Sequence, residues 1–240
     1  MRKKNKKPIT TLLKLLEFEV EVIQKDIKNI HLSVRPPDGQ VRVSAPREMS
    51  LDYIRIFVHS KFDWIQRQQA IVLTQAQAAP YKYTDGEIHY FKGEAYKLKI
   101  IATSGAARVA LHQHDLTLHI CSAAPITKRQ AAIDTWYRHE LKQEISNLIA
   151  KYEKPMRVSV NEFGVKKMKT RWGSCNPTAK RIWLNLELAK KTSECLEYVV
   201  LHEMAHLIER KHNRRFYALM SQYMPQWRGV NDKLMLTANL

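Results

Sequence analysis

Cysteine is scarce in this chain of 240 residues, which contains only Cys121, Cys175 and Cys195. No two of them are spaced as a CxxC pair, which argues against a disulfide framework or a paired-cysteine zinc knuckle. Such sparse use of cysteine is typical of proteins in a reducing cytoplasm.

Long apolar runs are also missing. No stretch of 18 apolar residues occurs, so no membrane span is expected. Residues 2–7 are basic, as in a signal peptide, but the apolar run that follows is short, Lys14 interrupts it, and no small-residue cleavage site comes after it. We therefore expect a soluble, cytoplasmic protein with no membrane partner.

Acidic residues are few relative to basic ones, with 23 Asp and Glu against 40 Lys and Arg and a formal net charge of +17. This excess predicts attraction to anionic partners such as nucleic acid, nucleotides or acidic proteins. The basic clusters lie at residues 2–7, 166–171, 190–191 and 210–215. A generically basic surface is the alternative, because clusters in sequence need not meet in space.

The most informative pattern is His202-Glu203-Met204-Ala205-His206. Apolar residues at 196, 199, 200, 204 and 207 have helical spacing, and positions i and i+4 share one face of a helix. Two imidazoles placed in this way can bind one metal ion, and Glu203 beside the ion can be the general base for water that the ion activates. The pattern predicts a zinc hydrolase site. The alternative is a helix whose two histidines pack in the core or face water.

A catalytic zinc site usually has three protein ligands, so the two histidines of the motif need a third ligand from elsewhere in the chain. Glu209 shares the face of the two histidines, but it lies about 10 Å along the helix axis from His202, too far for one ion on a straight helix. His212 is the better candidate, because the helix is expected to break at residues 211–213 and let the chain turn back. Asp232 is the reserve ligand.

The motif lies within a longer series of ordered patterns. They are Thr-Arg-Trp-Gly-Ser-Cys at 170–175, Arg-Ile-Trp-Leu-Asn at 181–185, residues 198–207, His212 with Phe216, and Met224-Pro225. This series resembles the YgjP-like metallopeptidase family, bacterial zincin-type proteins related in pattern to the SprT and WLM-type proteases. The resemblance implies a small zincin domain with zinc on His202, His206 and His212 and with Glu203 as the base.

Periodicity predicts an α+β fold. Strands are expected at 18–22, 31–34, 41–43, 96–100 and 116–120, and helices over 50–76, 127–154 and from 214 to about 223. No internal repeat is evident. We predict a β-rich N-terminal region with one helix over residues 1–125, followed by a zincin-like domain over 126–240 in which a β-hairpin precedes the HExxH helix.

That hairpin is predicted from two strand-like runs, 165–175 and 181–186, around a turn at 176–180. An exposed strand edge can pair with an extended peptide, so Arg171 and Trp172 are candidate substrate contacts. Trp172 could equally pack in the hairpin core while Arg171 is solvated. Cys175 is interpreted as a small hydrophobic residue rather than a metal ligand.

Two further groups of residues are weighed. Tyr198, Tyr217 and Arg171 are candidates for stabilising the oxyanion of the reaction. His112, His114 and His119 could form a second metal site, but no carboxylate or cysteine cluster completes a ligand set, so exposed residues near a turn are the favoured interpretation.

Three functions are compatible with these observations. The first is a zinc metallopeptidase that acts on a peptide or protein substrate. The second is a zinc-dependent nucleoside triphosphate pyrophosphatase that uses the same site, an alternative suggested by the basic residues near it; the missing P-loop argues only against an ordinary NTPase. The third is a nucleic-acid-associated protein whose zincin domain is structural or acts on DNA-bound proteins. The peptidase is preferred, because the HExxH pattern and the family resemblance both favour it.

Overall fold

The computed structural model describes residues 7–15, 18–35, 38–77 and 81–236. They divide into two compact units, one before residue 81 and one after it. Both contain helices and sheets, which confirms the predicted α+β class. No helix within the described ranges is long and apolar enough to cross a membrane.

The N-terminal unit consists of a four-stranded sheet and two helices. Its elements are β1 (Ile9–Lys14), β2 (Glu19–Lys25), β3 (His31–Arg35), β4 (Gln40–Pro46), α1 (Leu51–His59) and α2 (Phe62–Gln77). The strand order is β1-β2-β4-β3, with β2 and β4 parallel. Alternate residues of a strand face the same side, so Val20, Val22, Val41 and Val43 all enter the core beside Ile54.

The three strands predicted in this unit are confirmed, but the prediction of a single helix over 50–76 is wrong. The helix is interrupted at Ser60 and Lys61, which form a turn between α1 and α2. The apolar pattern continues across the turn because Ile54, Val58 and Ile65 are buried in the same cluster. The regular spacing of apolar residues therefore shows which residues are buried, but it does not show that the helix is unbroken.

The C-terminal unit begins with a second four-stranded sheet and a long helix. These are β5 (Ile88–Phe91), β6 (Glu94–Ala102), β7 (Arg108–His112), β8 (Asp115–Ile120) and α3 (Ile126–Met156). The strand order is β5-β6-β8-β7, with β6 and β8 parallel. Order and strand directions match those of the first sheet, so the two sheets repeat one topology that the sequence does not reveal.

The second sheet shares its core with the helices that follow it. Leu98 and Leu118 lie in the same hydrophobic cluster as Ile133 and Ile145 of α3. The predicted boundary at residue 125 therefore lies inside this unit, between β8 and α3. The change from strand-rich to helical sequence at that point marks a change of secondary structure within one core.

The remainder of the unit carries the sequence motifs. Its elements are β9 (Glu162–Lys166), β10 (Gly173–Asn176), β11 (Arg181–Asn185), a 3-10 helix (Leu186–Lys190), α4 (Ser193–Ala205), α5 (Arg214–Tyr223) and α6 (Trp227–Leu236). The strand order is β10-β11-β9. β10 and β11 form the predicted antiparallel hairpin, whereas β9 pairs in parallel with the other edge of β11.

The prediction of one strand over residues 165–175 is therefore wrong. Val165 belongs to β9 and Cys175 to β10, on opposite sides of β11. Residues 167–172 connect the two strands without helix or strand structure of their own. Because β11 is parallel to β9 and antiparallel to β10, β10 starts at the end of the sheet where β9 finishes, and the connection crosses that end past β11.

Candidate metal centre

Helix α4 is a core helix that holds the HExxH motif. It begins at the cap residue Thr192, whose side-chain oxygen accepts a hydrogen bond from the backbone N of Cys195 at 3.4 Å. Nine of its thirteen residues are buried, so packing surrounds most of the helix. His202, near its end, is half-buried. The backbone of His202 and Glu203 is thereby fixed by the core of the unit.

His206 lies at the C-cap of α4, one residue after the helix ends at Ala205. Its backbone is still helical, with φ −67° and ψ −16°, so the one-turn spacing from His202 is kept. The ring Nδ1 is 3.1 Å from the carbonyl oxygen of Glu209. Because a carbonyl can only accept, Nδ1 is the donor, and in the neutral ring Nε2 then has a free lone pair.

His212 lies in the loop between α4 and α5, and its ring is next to those of His202 and His206. The loop ends at Asn213, whose Oδ1 accepts a hydrogen bond from the backbone N of Phe216 at 3.1 Å and so starts α5. The Nε2 atoms of His212 and His202 are 3.0 Å apart. The candidate ligand atoms of His202, His206 and His212 all lie within 4.8 Å of one another, the sole such group of His, Cys, Asp and Glu in the described ranges.

The ring of Phe216 packs against all three imidazoles. Its ring centroid lies 4.9 Å from that of His202, 4.7 Å from that of His206 and 4.7 Å from that of His212. The residue is fully buried. The sequence motifs include Phe216, but no role was predicted for it. Because His212 lies in the loop before α5, no local spacing rule predicts this contact.

The surroundings of His202 and His212 favour the neutral form of these two imidazoles. Burial, together with the neighbouring His206 and His212, lowers the pKa of His202 to about 3. Burial also lowers the pKa of His212. Neutral imidazole is the form of histidine that binds a metal ion, so this environment suits a ligand set.

Glu203 lies beside the histidines and is 5% exposed. Burial raises the pKa of its carboxyl group to about 8, and the positive charge of Arg171 opposes the rise. Gly173 of β10 packs against it, since a Cβ added at that glycine would lie 2.6 Å from Oε1. The carboxylate is thus enclosed between α4 and β10.

A cavity of about 660 Å³ opens over these groups. Glu203 and the three histidines line it together with Arg171 and Trp172, the two predicted substrate contacts. Tyr198 also lines it, and its hydroxyl donates to Asn231 Oδ1 at 3.1 Å. Tyr217, the other tyrosine weighed for the oxyanion, lies in an adjoining cavity of about 520 Å³.

Other candidate residues lie outside the histidine group. The Glu209 carboxylate accepts a hydrogen bond from the backbone N of Lys211 at 3.1 Å within the loop. Asp232 lines the adjoining cavity. Cys175 is half-buried, and burial with the nearby Glu203 raises its pKa to about 11. His112, His114 and His119 form no metal-binding group in the described part of the chain.

Two of the predicted basic clusters are partly neutralised. Lys167 lies 2.7 Å from an Asp134 oxygen, and Lys190 lies 2.7 Å from a Glu187 oxygen. Of the cluster at residues 2–7, only Lys7 falls among the described residues. Arg171 and Arg210, from the predicted clusters 166–171 and 210–215, are exposed and bring positive charge to the cavity.

Comparison with known protein families shows to which family the chain belongs. The family model described as YgjP-like, metallopeptidase domain, matches residues 28–236. The chain belongs to the YgjP-like metallopeptidase family. This confirms the resemblance drawn from the motifs, and the matched range of this YgjP-like chain includes the histidine group, Glu203 and Gly173.

Further comparisons give a more distant likeness. No curated protein matches the sequence. Among solved structures, the metallopeptidase zymogen abylysin of Pyrococcus abyssi is 16% identical, with a TM-score of 0.37, and the match covers 39% of this chain and 93% of that one. The metallopeptidase zymogen jannalysin of Methanocaldococcus jannaschii is 21% identical, with a TM-score of 0.35, and the match covers 39% of this chain and 89% of that one.

Proposed function

We propose that this chain is a zinc-dependent peptidase in which His202, His206 and His212 hold the metal and Glu203 is the general base. The observation that carries the proposal is the convergence of three imidazoles, with ligand atoms within 4.8 Å of one another, beside a buried carboxylate. Membership in a metallopeptidase family supports the same reaction class.

The donor set fits zinc. Tetrahedral zinc with Zn–N distances of about 2.0–2.1 Å places its ligand nitrogens about 3.3 Å apart, and the Nε2 atoms of His202 and His212 are 3.0 Å apart. The hydrogen bond from His206 Nδ1 to the Glu209 carbonyl leaves Nε2 of that ring free to bind. Three protein ligands are also the number that leaves zinc an open position for catalysis.

Zinc, when bound, supplies Lewis-acid polarisation of the scissile carbonyl and lowers the pKa of water. The chain supplies the proton transfers. Glu203 accepts a proton from the attacking water and passes it to the leaving amine. Burial raises the pKa of this carboxyl group to about 8 in the metal-free site, and the charge of a bound zinc ion would lower it again, towards the ionised form that a general base needs.

The substrate proposed is an extended peptide. Strand β10 lies at the edge of its sheet, and its residues Gly173, Ser174 and Cys175 line the cavity beside Glu203. A free strand edge offers backbone N–H and C=O groups to which an extended peptide can add as another strand. Such pairing would hold a peptide along the side of the cavity that contains the general base.

We also propose that the preferred peptides are acidic. Arg171 and Arg210 are exposed and line the cavity, whereas Glu203, which is buried, is the one carboxylate among the described residues that line it. Cationic groups in a cleft attract anionic side chains and repel cationic ones. A preference for anionic partners was predicted from the net charge, and Arg171 and Arg210 are the residues at the cavity that would produce it.

The peptidase proposal is tested with the wild-type chain and a Glu203→Gln variant, each loaded with zinc and assayed on a casein-type substrate. The expected result is equal zinc content in both proteins and cleavage only by the wild type. Equal cleavage by the two proteins would overturn the role of Glu203. Zinc binding without cleavage by either protein would favour a structural or nucleic-acid-associated role.

A zinc-dependent nucleoside triphosphate pyrophosphatase is the second candidate. The observation that favours it is again Arg171 and Arg210 at the cavity, since phosphoryl transfer depends on positive charge around the transferring group. Release of pyrophosphate from nucleoside triphosphates by wild type but not by Glu203→Gln, without casein cleavage, would select this reaction.

A further inference from the structure

Asn185, at the end of β11, uses every hydrogen-bonding position of its side chain. Oδ1 accepts from the backbone N of Met168 at 3.2 Å and of Glu187 at 3.2 Å. Nδ2 donates to the carbonyl oxygens of Met168 at 3.0 Å and Arg171 at 2.9 Å. An amide offers two donors and two acceptor positions, so this side chain is fully satisfied while only 5% exposed.

The partners of this amide lie mainly in the connection from β9 to β10. Residues 167–172 of that connection have no helix or strand structure. Three of their backbone groups bond to the Asn185 side chain, and the backbone N of Asn185 donates to the carbonyl of Trp172 at 2.8 Å. One buried residue thus fixes the path of an otherwise irregular segment.

The end of this segment forms one side of the candidate site. Arg171 lines the cavity together with Glu203 and the three histidines. Gly173, two residues later, approaches Glu203 so closely that an added Cβ would lie 2.6 Å from Oε1. A shift of the backbone at residues 171–173 would therefore move both the charge beside the carboxylate and the wall against it.

We propose that Asn185 is a positioning residue that holds residues 171–173 against Glu203 and so supports the reaction at this site. Its effect on rate rests on the proposed function, whereas its ordering of the segment does not. The chemistry of an amide is required. Aspartate at position 185 would keep the acceptors but lose both donors, and it would place a charge where only 5% of the side chain is exposed.

The first test measures order in the metal-free protein. Hydrogen–deuterium exchange of the amides of residues 168–173 is compared in wild type, Asn185→Asp and Asn185→Ser. Asn176→Ala is the matched control, because its Oδ1 accepts only from Ala179 N at 3.1 Å in the exposed turn of the same hairpin. Exchange at least about tenfold faster in the Asn185 variants, with α4 unchanged, is expected. Unchanged exchange in both variants would overturn the proposal.

The second test measures catalysis in the zinc-loaded proteins at a temperature where all remain folded. A displacement of about 1 Å costs up to about a hundredfold in rate, so kcat should fall about 10- to 100-fold in Asn185→Ser, a larger change than the rise in KM that follows from displacing the β10 edge. In the Asn185→Ser background, Arg171→Ala should add little further loss, because both changes act through one segment. Additive losses, or an unchanged kcat, would overturn the positioning role in catalysis.

The two tests distinguish failure of the peptidase function from failure of the positioning role of Asn185. If the zinc-loaded wild type cleaves no peptide, the proposed function fails, and the exchange rates alone decide whether Asn185 orders the segment. If the wild type is active and exchange in the variants is fast while kcat is unchanged, the peptidase stands and the positioning role is overturned.

Discussion

Gly173 and Glu203 are packed so closely that no side chain fits between them. A Cβ built at Gly173 would lie 2.6 Å from Glu203 Oε1 and 2.8 Å from its Cγ. The glycine has no positive φ, unlike Gly39, Gly86 and Gly93. Glycine at position 173 is therefore explained by the carboxylate it touches, not by its backbone conformation.

Gly173→Ala is predicted to lower kcat/KM about 100-fold, because the carboxylate of Glu203 has to move by several tenths of an ångström or more. Zinc content should be unchanged, since the histidines are not displaced. Gly229→Ala is the control, because nothing lies within 4 Å of a Cβ at that position, and it should retain full activity. Steady-state kinetics and metal analysis check both variants, and wild-type activity in Gly173→Ala would refute the contact.

Phe216→Leu is predicted to weaken zinc binding about tenfold, because the three imidazoles lose the ring on which they pack. The loss of stability should be modest, about 1–1.5 kcal/mol, since the two side chains are similar in size. Met220→Leu, at another fully buried position one turn along α5, should cost similar stability and leave zinc affinity unchanged. Competition with a chelator measures the affinity, and equal affinities in the two variants would contradict this role.

The lowered pKa of Glu197 in α4 predicts that the folded protein loses stability in acid. Burial raises the pKa of its carboxyl group, but hydrogen bonds from Lys151 and Tyr152, both 2.5 Å long, outweigh burial and leave the pKa below its usual value. A carboxylate with a lowered folded pKa stabilises the fold above its unfolded pKa, and this contribution is lost as the pH falls through the folded pKa. Both partners lie on α3, so the contribution links α3 to the motif helix.

Glu197→Gln should therefore lower the free energy of unfolding by about 1 kcal/mol at neutral pH. The difference from wild type should shrink as the pH falls below the usual glutamate range, because the wild-type side chain is then also uncharged. Urea denaturation at several pH values measures this difference. A difference that stayed constant down to acidic pH would contradict the ionised pairing.

Arg210→Glu is predicted to invert the charge preference of the peptidase. Peptides matched except for Glu, Gln or Lys beside the scissile bond are compared. The variant should cleave the Glu peptide about tenfold more slowly than wild type and the Lys peptide faster, with little change for Gln. Lys142→Glu, on the exposed face of α3 and away from the cavity, should change none of these rates. Parallel losses on all three peptides would exclude a charge-based preference.

Short-range patterns predicted much of this molecule. The spacing of His202, His206 and His212 was read from the sequence because helical periodicity and turn residues are local, and α5 begins at Arg214 as expected. Their convergence agrees with the predicted ligand set, whose metal-binding role stays a prediction. The strands that alternate, such as β2 and β8, were also found where predicted.

Long-range pairing is what the sequence did not reveal. The parallel pairing of β9 with β11 joins Val165 to Leu184, and nothing in the run 165–175 marks where one strand ends and the next begins. The four hydrogen bonds of Asn185 and the common contact of Phe216 with three rings likewise depend on tertiary structure. Side chains of these types are ordinary in strands and helices, so their sequence context carries no comparable signal.

The zinc content of three proteins tests whether His202, His206 and His212 hold the metal. Wild type, His212→Ala and Asp232→Ala are purified in the presence of zinc, dialysed and analysed for metal. One tightly bound zinc per chain is expected in wild type and Asp232→Ala, and none in His212→Ala. A wild-type chain that binds no zinc, or a His212→Ala variant that retains it while Asp232→Ala does not, would contradict the three-histidine site.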